Sequence, residues 1–199
     1  MIEILGKISF QKVEEVVKHL NVHIEPHLGF DVSNYAKGRR RTWLQYEAPL
    51  SGRQRWKHGS KDEYLWNFVL ETFAPYEIVP ELGLVSKGGT IDFHRDAAYA
   101  EFKAFAINLG VVTWEYEMSY PLYDWVPESQ LIYPPKLITF DMQGGEVFQF
   151  NSKNRHRAIN SHPERWAFNL WNIKQQAREE RDYQLSNRNV LKEYNINFK

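Results

Sequence analysis

A mainly β fold, a small antiparallel sandwich or barrel with flanking helices, is what these 199 residues predict. Three observations carry that expectation. Between residues 82 and 174, short β-type runs alternate with Gly, Pro and Asn punctuation, some eight of them in about 90 residues. Two earlier segments repeat apolar residues at helical spacing, as helices lying on a sheet do. With 43% hydrophobic and 15% aromatic residues, the chain can bury a core.

In chain order, Ile2, Ile4 and Leu5 make a short apolar strand, and Ser9 is placed to cap a helix over 9–20 with Val13, Val16, Val17 and Leu20 on one face. Ser60 and Glu63 form a capping-box pattern ahead of Tyr64, Leu65, Phe68, Val69 and Phe73, which predicts a second amphipathic helix. The β-type runs are 84–85, 90–93, 102–109, 114–118, 137–140, 147–150, 156–160 and 165–173. From Gln175 a solvated helix and a polar tail follow. No repeat or linker interrupts the chain, so 1–199 reads as one domain: a helical and mixed buttress over 1–81, a β core over 82–174, and a C-terminal helix and tail over 175–199.

Composition removes several function classes. Lys and Arg number 25, as do Asp and Glu, so no net field gathers nucleic acid or an anionic membrane. The absence of cysteine rules out disulfides, thiolate metal sites and a cysteine nucleophile. No apolar run reaches the roughly 18 residues of a membrane span, and the expected compartment is the cytoplasm.

Two segments have lopsided charge. Residues 37–58 hold Lys37, Arg39, Arg40, Arg41, Arg53, Arg55 and Lys57 against Glu47, interleaved with Trp43, Tyr46 and Trp56. A basic surface face is the plain expectation, and a cradle for an acidic or nucleic-acid ligand the sharper one. Residues 111–135 carry Glu115, Glu117, Asp124 and Glu128 without Lys or Arg, among Trp114, Tyr116, Tyr120, Tyr123, Trp125 and Tyr133. That pattern fits a packed loop or hairpin, or an aromatic and acidic lid over a cationic substrate.

The chemistry-bearing residues lie on the β-type runs. His94 and Asp96 flank Arg95 just after Gly88 and Gly89, and their i,i+2 spacing sends both to one side of an extended chain, where they can share a metal ion. His156 is the candidate third ligand, because two histidines and one carboxylate leave positions of Fe(II) open. Arg165, Ala167, Asn169 and Trp171 share one face of the last run, and Trp166, Phe168 and Leu170 the other. Turn chemistry at 161–164 predicts a hairpin that points His156 and Arg165 into one cavity. A guanidinium beside Ala and Asn expects an anionic ligand, since burying it unpaired is costly.

The order His94-x-Asp96, His156, Arg165 resembles the Fe(II)- and 2-oxoglutarate-dependent oxygenases. Gly145 to Asn151, then His156-Arg157-Ala158-Ile159-Asn160, then Arg165, is similar to their aspartyl/asparaginyl β-hydroxylase branch. The resemblance covers roughly residues 82–174, where such matches carry weight only together. It implies a double-stranded β-helix, a cupin-like jelly roll, with the N-terminal helices on its larger sheet. It implies that His94, Asp96 and His156 hold iron and that Arg165 binds the distal carboxylate of 2-oxoglutarate. The implied reaction uses O2 to hydroxylate an unactivated C–H bond of an amino acid or a protein side chain, releasing succinate and CO2.

The chain departs from the family in placing Ala167 where many relatives carry Ser or Thr, and in offering only Lys103 and Asn108 as polar candidates on the 102–109 run. Arg157 and Asn160 are candidates to support the site. A nucleic-acid oxygenase or demethylase is the alternative that the basic segment suggests, but Trp171 stands where those relatives have a second arginine. A cupin-like metal-binding module without 2-oxoglutarate turnover is another. The expected partner is a small amino-acid or peptidyl substrate, and the aromatic content leaves apolar surface for a homodimer.

Overall fold

Ser9 starts the first helix as expected: its backbone is extended and its Oγ accepts the Lys12 N–H at 3.3 Å. The computed structural model describes residues 2–47, 56–121, 127–159 and 161–193, with side chains to 187. Arg53, Arg55, Tyr123, Asp124, Trp125 and Asn160, singled out above, lie outside the described residues.

The elements run β1 (Ile2–Lys7), α1 (Phe10–His19), a π turn and a 3₁₀ turn to His27, then the short strands β2 (Gly29–Phe30), β3 (Ala36–Lys37), β4 (Arg40–Trp43), β5 (Tyr46–Glu47) and β6 (Lys57–His58). Helix α2 (Glu63–Phe73) follows. Its cap is Asp62, not Ser60: Asp62 is extended and its carboxylate accepts the Leu65 N–H at 2.9 Å. Lys61 adopts a left-handed φ of 54°, and the Ser60 N–H is tied to the Trp43 carbonyl at 2.8 Å. Asp and Ser cap helices about equally well, so the tertiary tie decides between them.

All eight expected runs are strands: β7 (Leu82–Lys87), β8 (Thr90–His94), β9 (Ala100–Asn108), β10 (Val112–Met118), β11 (Lys136–Met142), β12 (Glu146–Asn151), β13 (His156–Ile159) and β14 (Trp166–Ile173). Helix α3 (Gln175–Glu193) closes the described chain. A seven-stranded sheet has the order β1-β12-β9-β14-β7-β4-β2, and a five-stranded sheet the order β11-β10-β13-β8-β3. Every pairing is antiparallel.

The period of two along β9 and β14 sorts side chains by size. Phe105, Ile107, Trp166, Phe168 and Leu170 pack against Val16, Leu20, Leu65, Phe68, Val69 and Phe73 of the helical layer. Burying one such side chain fully stabilises by about 1.5–3 kcal/mol, so the helices seal the larger sheet as the sequence predicts. The opposite face carries Ala104, Ala106 and Ala167, and these small residues leave space between the two sheets.

Three expectations need correction. The 156–165 segment is not a hairpin, because β13 pairs with β10 and β8 whereas β14 pairs with β7 and β9 in the other sheet. The turn is real, with the Arg165 N–H on the His162 carbonyl at 2.9 Å, but it crosses between sheets. His156 and Arg165 still meet, since each faces inward from its own sheet. The described part of 37–58 is a surface face only in part: Lys37 and Lys57 are exposed, but β3 and β4 extend both sheets, and Arg39 and Arg41 turn into the space between them. The described part of 111–135 does not form an acidic lid. Trp114 and Tyr116 are core residues, and Glu115 and Glu117 pair with Arg157 at 2.6 Å and Arg155 at 3.1 Å.

The C-terminal helix docks through Glu81, which pairs with Arg178 at 2.7 Å and Arg181 at 3.7 Å. Among the described residues no helix is long and apolar enough to cross a membrane.

Candidate metal centre and cavity

Strands β8 and β13 are neighbours, and their register sets His94 directly opposite His156. Beyond β8 the chain turns so that the Asp96 N–H donates to the Ser152 carbonyl at 3.0 Å, which brings its carboxylate back to the two imidazoles. His94 Nδ1 lies 2.9 Å from the Asp92 carbonyl and His156 Nδ1 2.9 Å from the Asn154 carbonyl. A carbonyl only accepts, so in each ring Nδ1 is the donor and Nε2 keeps its lone pair. Those Nε2 atoms stand 3.9 Å and 3.7 Å from Asp96 Oδ1. The Asp96 Oδ2 accepts the Trp171 indole N–H at 2.7 Å, leaving Oδ1 turned to the imidazoles.

The three candidate ligand atoms lie within 4.8 Å of one another. Metal bonds of about 2.1 Å put adjacent octahedral donors about 3 Å apart, so small side-chain movements close this set on an ion. The donor set fits a divalent metal with open positions for other ligands. Burial, with the His156 imidazole next to it, lowers the His94 pKa to about 4, so the ring is neutral and its lone pair available near pH 7. Tyr35 stacks on His94 at 4.8 Å and Trp114 on His156 at 5.5 Å, which fixes both ring planes.

Arg165 stands at the start of β14, 9% exposed. Its Nε donates to Ser161 Oγ at 2.8 Å and one terminal nitrogen to Asn108 Oδ1 at 3.1 Å. No carboxylate pairs with it among the described residues. Burial, and then the charge of Arg39, lower its pKa to about 10, which still leaves it charged at neutral pH. Gly110 makes room for its stem, since a Cβ there would lie 2.9 Å from the Arg165 Cγ.

The sheets enclose a cavity of about 220 Å³ that His94, Asp96, His156 and Arg165 all line. The four residues singled out by sequence are therefore brought together. Arg157 faces elsewhere, ion-paired to Glu115 and lying over Phe93. Sequence reasoning named Arg39 and Arg41 only within a basic segment that could cradle an acidic ligand, and missed Asp31 on the same cavity wall and Trp171 as the partner of Asp96. Arg39, Arg41 and Trp43 share a period of two, which was the available signal of an inward strand face.

No family model and no curated protein matches the sequence. Solved structures do match. The structure of OsALKBH1 superposes with a TM-score of 0.62 at 12% identity, over 86% of this chain and 97% of that one. A Pseudomonas putida prolyl-4-hydroxylase superposes with a TM-score of 0.50 at 12% identity, over 88% and 92%. The chain has their fold. A ribosomal oxygenase from Escherichia coli, YcfD, aligns with all of this chain but 55% of its own, at 11% identity and a TM-score of 0.43, too loosely to compare sites.

The indole of Trp171 is a support that can be removed without emptying its place. Trp171→Phe keeps a ring and loses the N–H that aims Asp96, and metal affinity is expected to fall about 10- to 100-fold. Titration with Mn(II) followed by calorimetry checks it; unchanged affinity would mean that Asp96 is held without the indole.

Proposed function

We propose that this chain is an Fe(II)- and 2-oxoglutarate-dependent dioxygenase that hydroxylates an unactivated C–H bond, of an amino acid or a protein side chain, with release of succinate and CO2. The observation that carries the reading is the cavity itself: two imidazole lone pairs and a carboxylate oxygen converge in it, and a buried arginine without a carboxylate partner among the described residues shares it. The strand arrangement supports a double-stranded β-helix, or jelly roll, for β7–β14. Of these eight strands β7, β9, β12 and β14 lie in one sheet and β8, β10, β11 and β13 in the other.

In this reading His94, Asp96 and His156 hold the iron, and Arg165 receives the distal carboxylate of 2-oxoglutarate through a bidentate ion pair. The bound iron supplies the activation of O2 with 2-oxoglutarate as the reductant. The residues of the chain do the rest. Asn108 and Ser161 hold the Arg165 fork in one orientation, and Ser161 provides a hydroxyl that Ala167 lacks. Trp114 and Phe150, both buried, lie against His156 and exclude water behind it, while the more exposed Tyr35 lies against His94. The resemblance to the β-hydroxylase branch favours an amino-acid or peptidyl substrate. A nucleic-acid substrate has less support, because Trp171 fills the place of the second arginine and is committed to Asp96.

Anaerobic titration with Fe(II) and 2-oxoglutarate tests the class. A visible charge-transfer band is expected in the wild type, and Arg165→Ala is expected to need roughly 30-fold or more 2-oxoglutarate to reach it, as loss of a buried ion pair implies. Metal binding without a band would overturn the oxygenase reading in favour of a cupin-like binding module.

A further inference from the structure

We infer that Arg39 and Arg41 form the subsite for the substrate's own anionic group, and that the substrate is a small carboxylic acid. The inference deepens the oxygenase reading and rests on it.

Arg39 and Arg41 sit two residues apart at β4, so both face the cavity while Arg40 between them turns outward to Glu25 at 2.7 Å. Asp31 is the carboxylate that meets them. It is 2% exposed, with Oδ2 at 3.2 Å from Arg39 and Oδ1 at 3.1 Å from Arg41, and the Ser33 hydroxyl and N–H also donate to Oδ1, at 2.7 Å and 3.1 Å. Two guanidiniums thus share one carboxylate in a place where their own side chains are only 11% and 15% exposed. Among the residues lining the cavity, Arg39, Arg41, Arg95 and Arg165 face only two carboxylates, Asp31 and Asp96. Fe(II) and doubly charged 2-oxoglutarate cancel each other, so the loaded cavity stays positive. Arg95 is exposed to solvent, but Arg39 and Arg41 are not, and buried cations require a counterion.

The surroundings select a small anion over a polyanion. Outside the cavity several of the described cations are neutralised: Lys37 pairs with Asp92 at 3.0 Å, Lys87 with Glu25 at 2.7 Å, and Arg155, Arg157 and Arg178 with carboxylates of their own. A phosphate backbone would need an open track of such charges, whereas one closed pair suits one anionic group. Tyr35 against His94 and Trp43 under Arg41, whose guanidinium lies 5.6 Å from the ring, add flat apolar walls for the body of the ligand.

The test uses protein held without oxygen, loaded with Fe(II) and saturating 2-oxoglutarate so that Arg165 is occupied. Calorimetry follows binding of L-amino acids, their amides, and glycerol phosphate. An amino acid is expected to bind at least about tenfold tighter than its amide, because a site built around a charge rejects the analogue that lacks it. Arg39→Gln and Arg41→Gln should each weaken that acid by about tenfold or more while the 2-oxoglutarate needed for the charge-transfer band moves less than about twofold. Arg41→Lys keeps the charge and guards against a folding defect, and its far-ultraviolet dichroism should match the wild type. Equal binding of acid and amide, binding of no acid, or binding of glycerol phosphate alone would overturn the proposal. So would an Arg39→Gln variant that loses 2-oxoglutarate as much as the acid. If the band never forms in the wild type, the oxygenase reading is what fails. Titration of the metal-free protein with acetate, read by tryptophan fluorescence, then decides the anion subsite alone: quenching that saturates and is lost in Arg39→Gln supports it, and none overturns it.

Discussion

Alanine in place of His156 is expected to lower metal affinity more than about 100-fold and to abolish succinate formation. A four-ligand site worth about 10–16 kcal/mol assigns about 3 kcal/mol to each ligand, and only three protein ligands are available here. His156 cannot be replaced from nearby: its Nε2 is the sole inward donor of β13, and it is held there by Asn154, whose side chain in turn accepts the Ser119 hydroxyl at 2.9 Å. The variant is expected to fold, since Trp114, Phe148 and Phe150 pack on one another, Trp114 and Phe150 doing so as well as on the imidazole they lose. Metal content after Mn(II) loading and dialysis, alongside the dichroism spectrum, separates loss of the ligand from loss of the fold. Retained metal at wild-type affinity would remove His156 from the site.

The largest effect on stability is expected at Asp31. Asp31→Ala leaves Arg39 and Arg41 enclosed without their shared carboxylate, and breaking a buried pair from one side costs about 3–5 kcal/mol. At about 2–4 °C per kcal/mol for a chain of this size, Tm should fall by roughly 6–20 °C. Burial opposes ionisation of Asp31, but the Ser33 donors and the two guanidiniums outweigh it and hold the carboxyl below its ordinary value. The contribution is therefore complete above the unfolded pKa of about 3.9 and disappears as pH falls through the lower folded value. The gap in Tm between wild type and variant should be constant from pH 7 to about 5 and narrow below about 4, which thermal melts over that range check.

The eight core strands were legible because alternation and turn residues are local signals, and β14 shows it well. Trp166, Phe168 and Leu170 declare one apolar face, and Arg165 beside Ala167 and Asn169 declares another with a task. That His94 and Asp96 lie together was legible from their spacing, but Asp96 sits beyond β8 in a turn tied to Ser152, and His156 joins them only through the pairing of β13 with β8. Sheet membership was not legible. The turn at 162–165 has the same residues whether it joins neighbours or crosses between layers, and only the pairing of β13 with β8 and β10 distinguishes them. The role of Asp31 was equally hidden, since one aspartate eight residues before Arg39 is ordinary until β2 and β4 are placed. Trp171 looked like a core aromatic, and its N–H found Asp96 only through tertiary contact.

The cavity wall that carries Arg39 and Arg41 is built at the rim of the sheets, from a strap that adds β2, β3 and β4 outside the frame of β7–β14. The residues assigned to metal and co-substrate come from β8, β13, β14 and the turns beside them, on a different stretch of chain. In the proposed reading, recognition and reaction thus draw largely on separate stretches of chain, with Tyr35 of the strap touching both. Substitutions at Arg39 and Arg41 are then expected to change which acid is accepted while the residues assigned to metal and co-substrate keep their places.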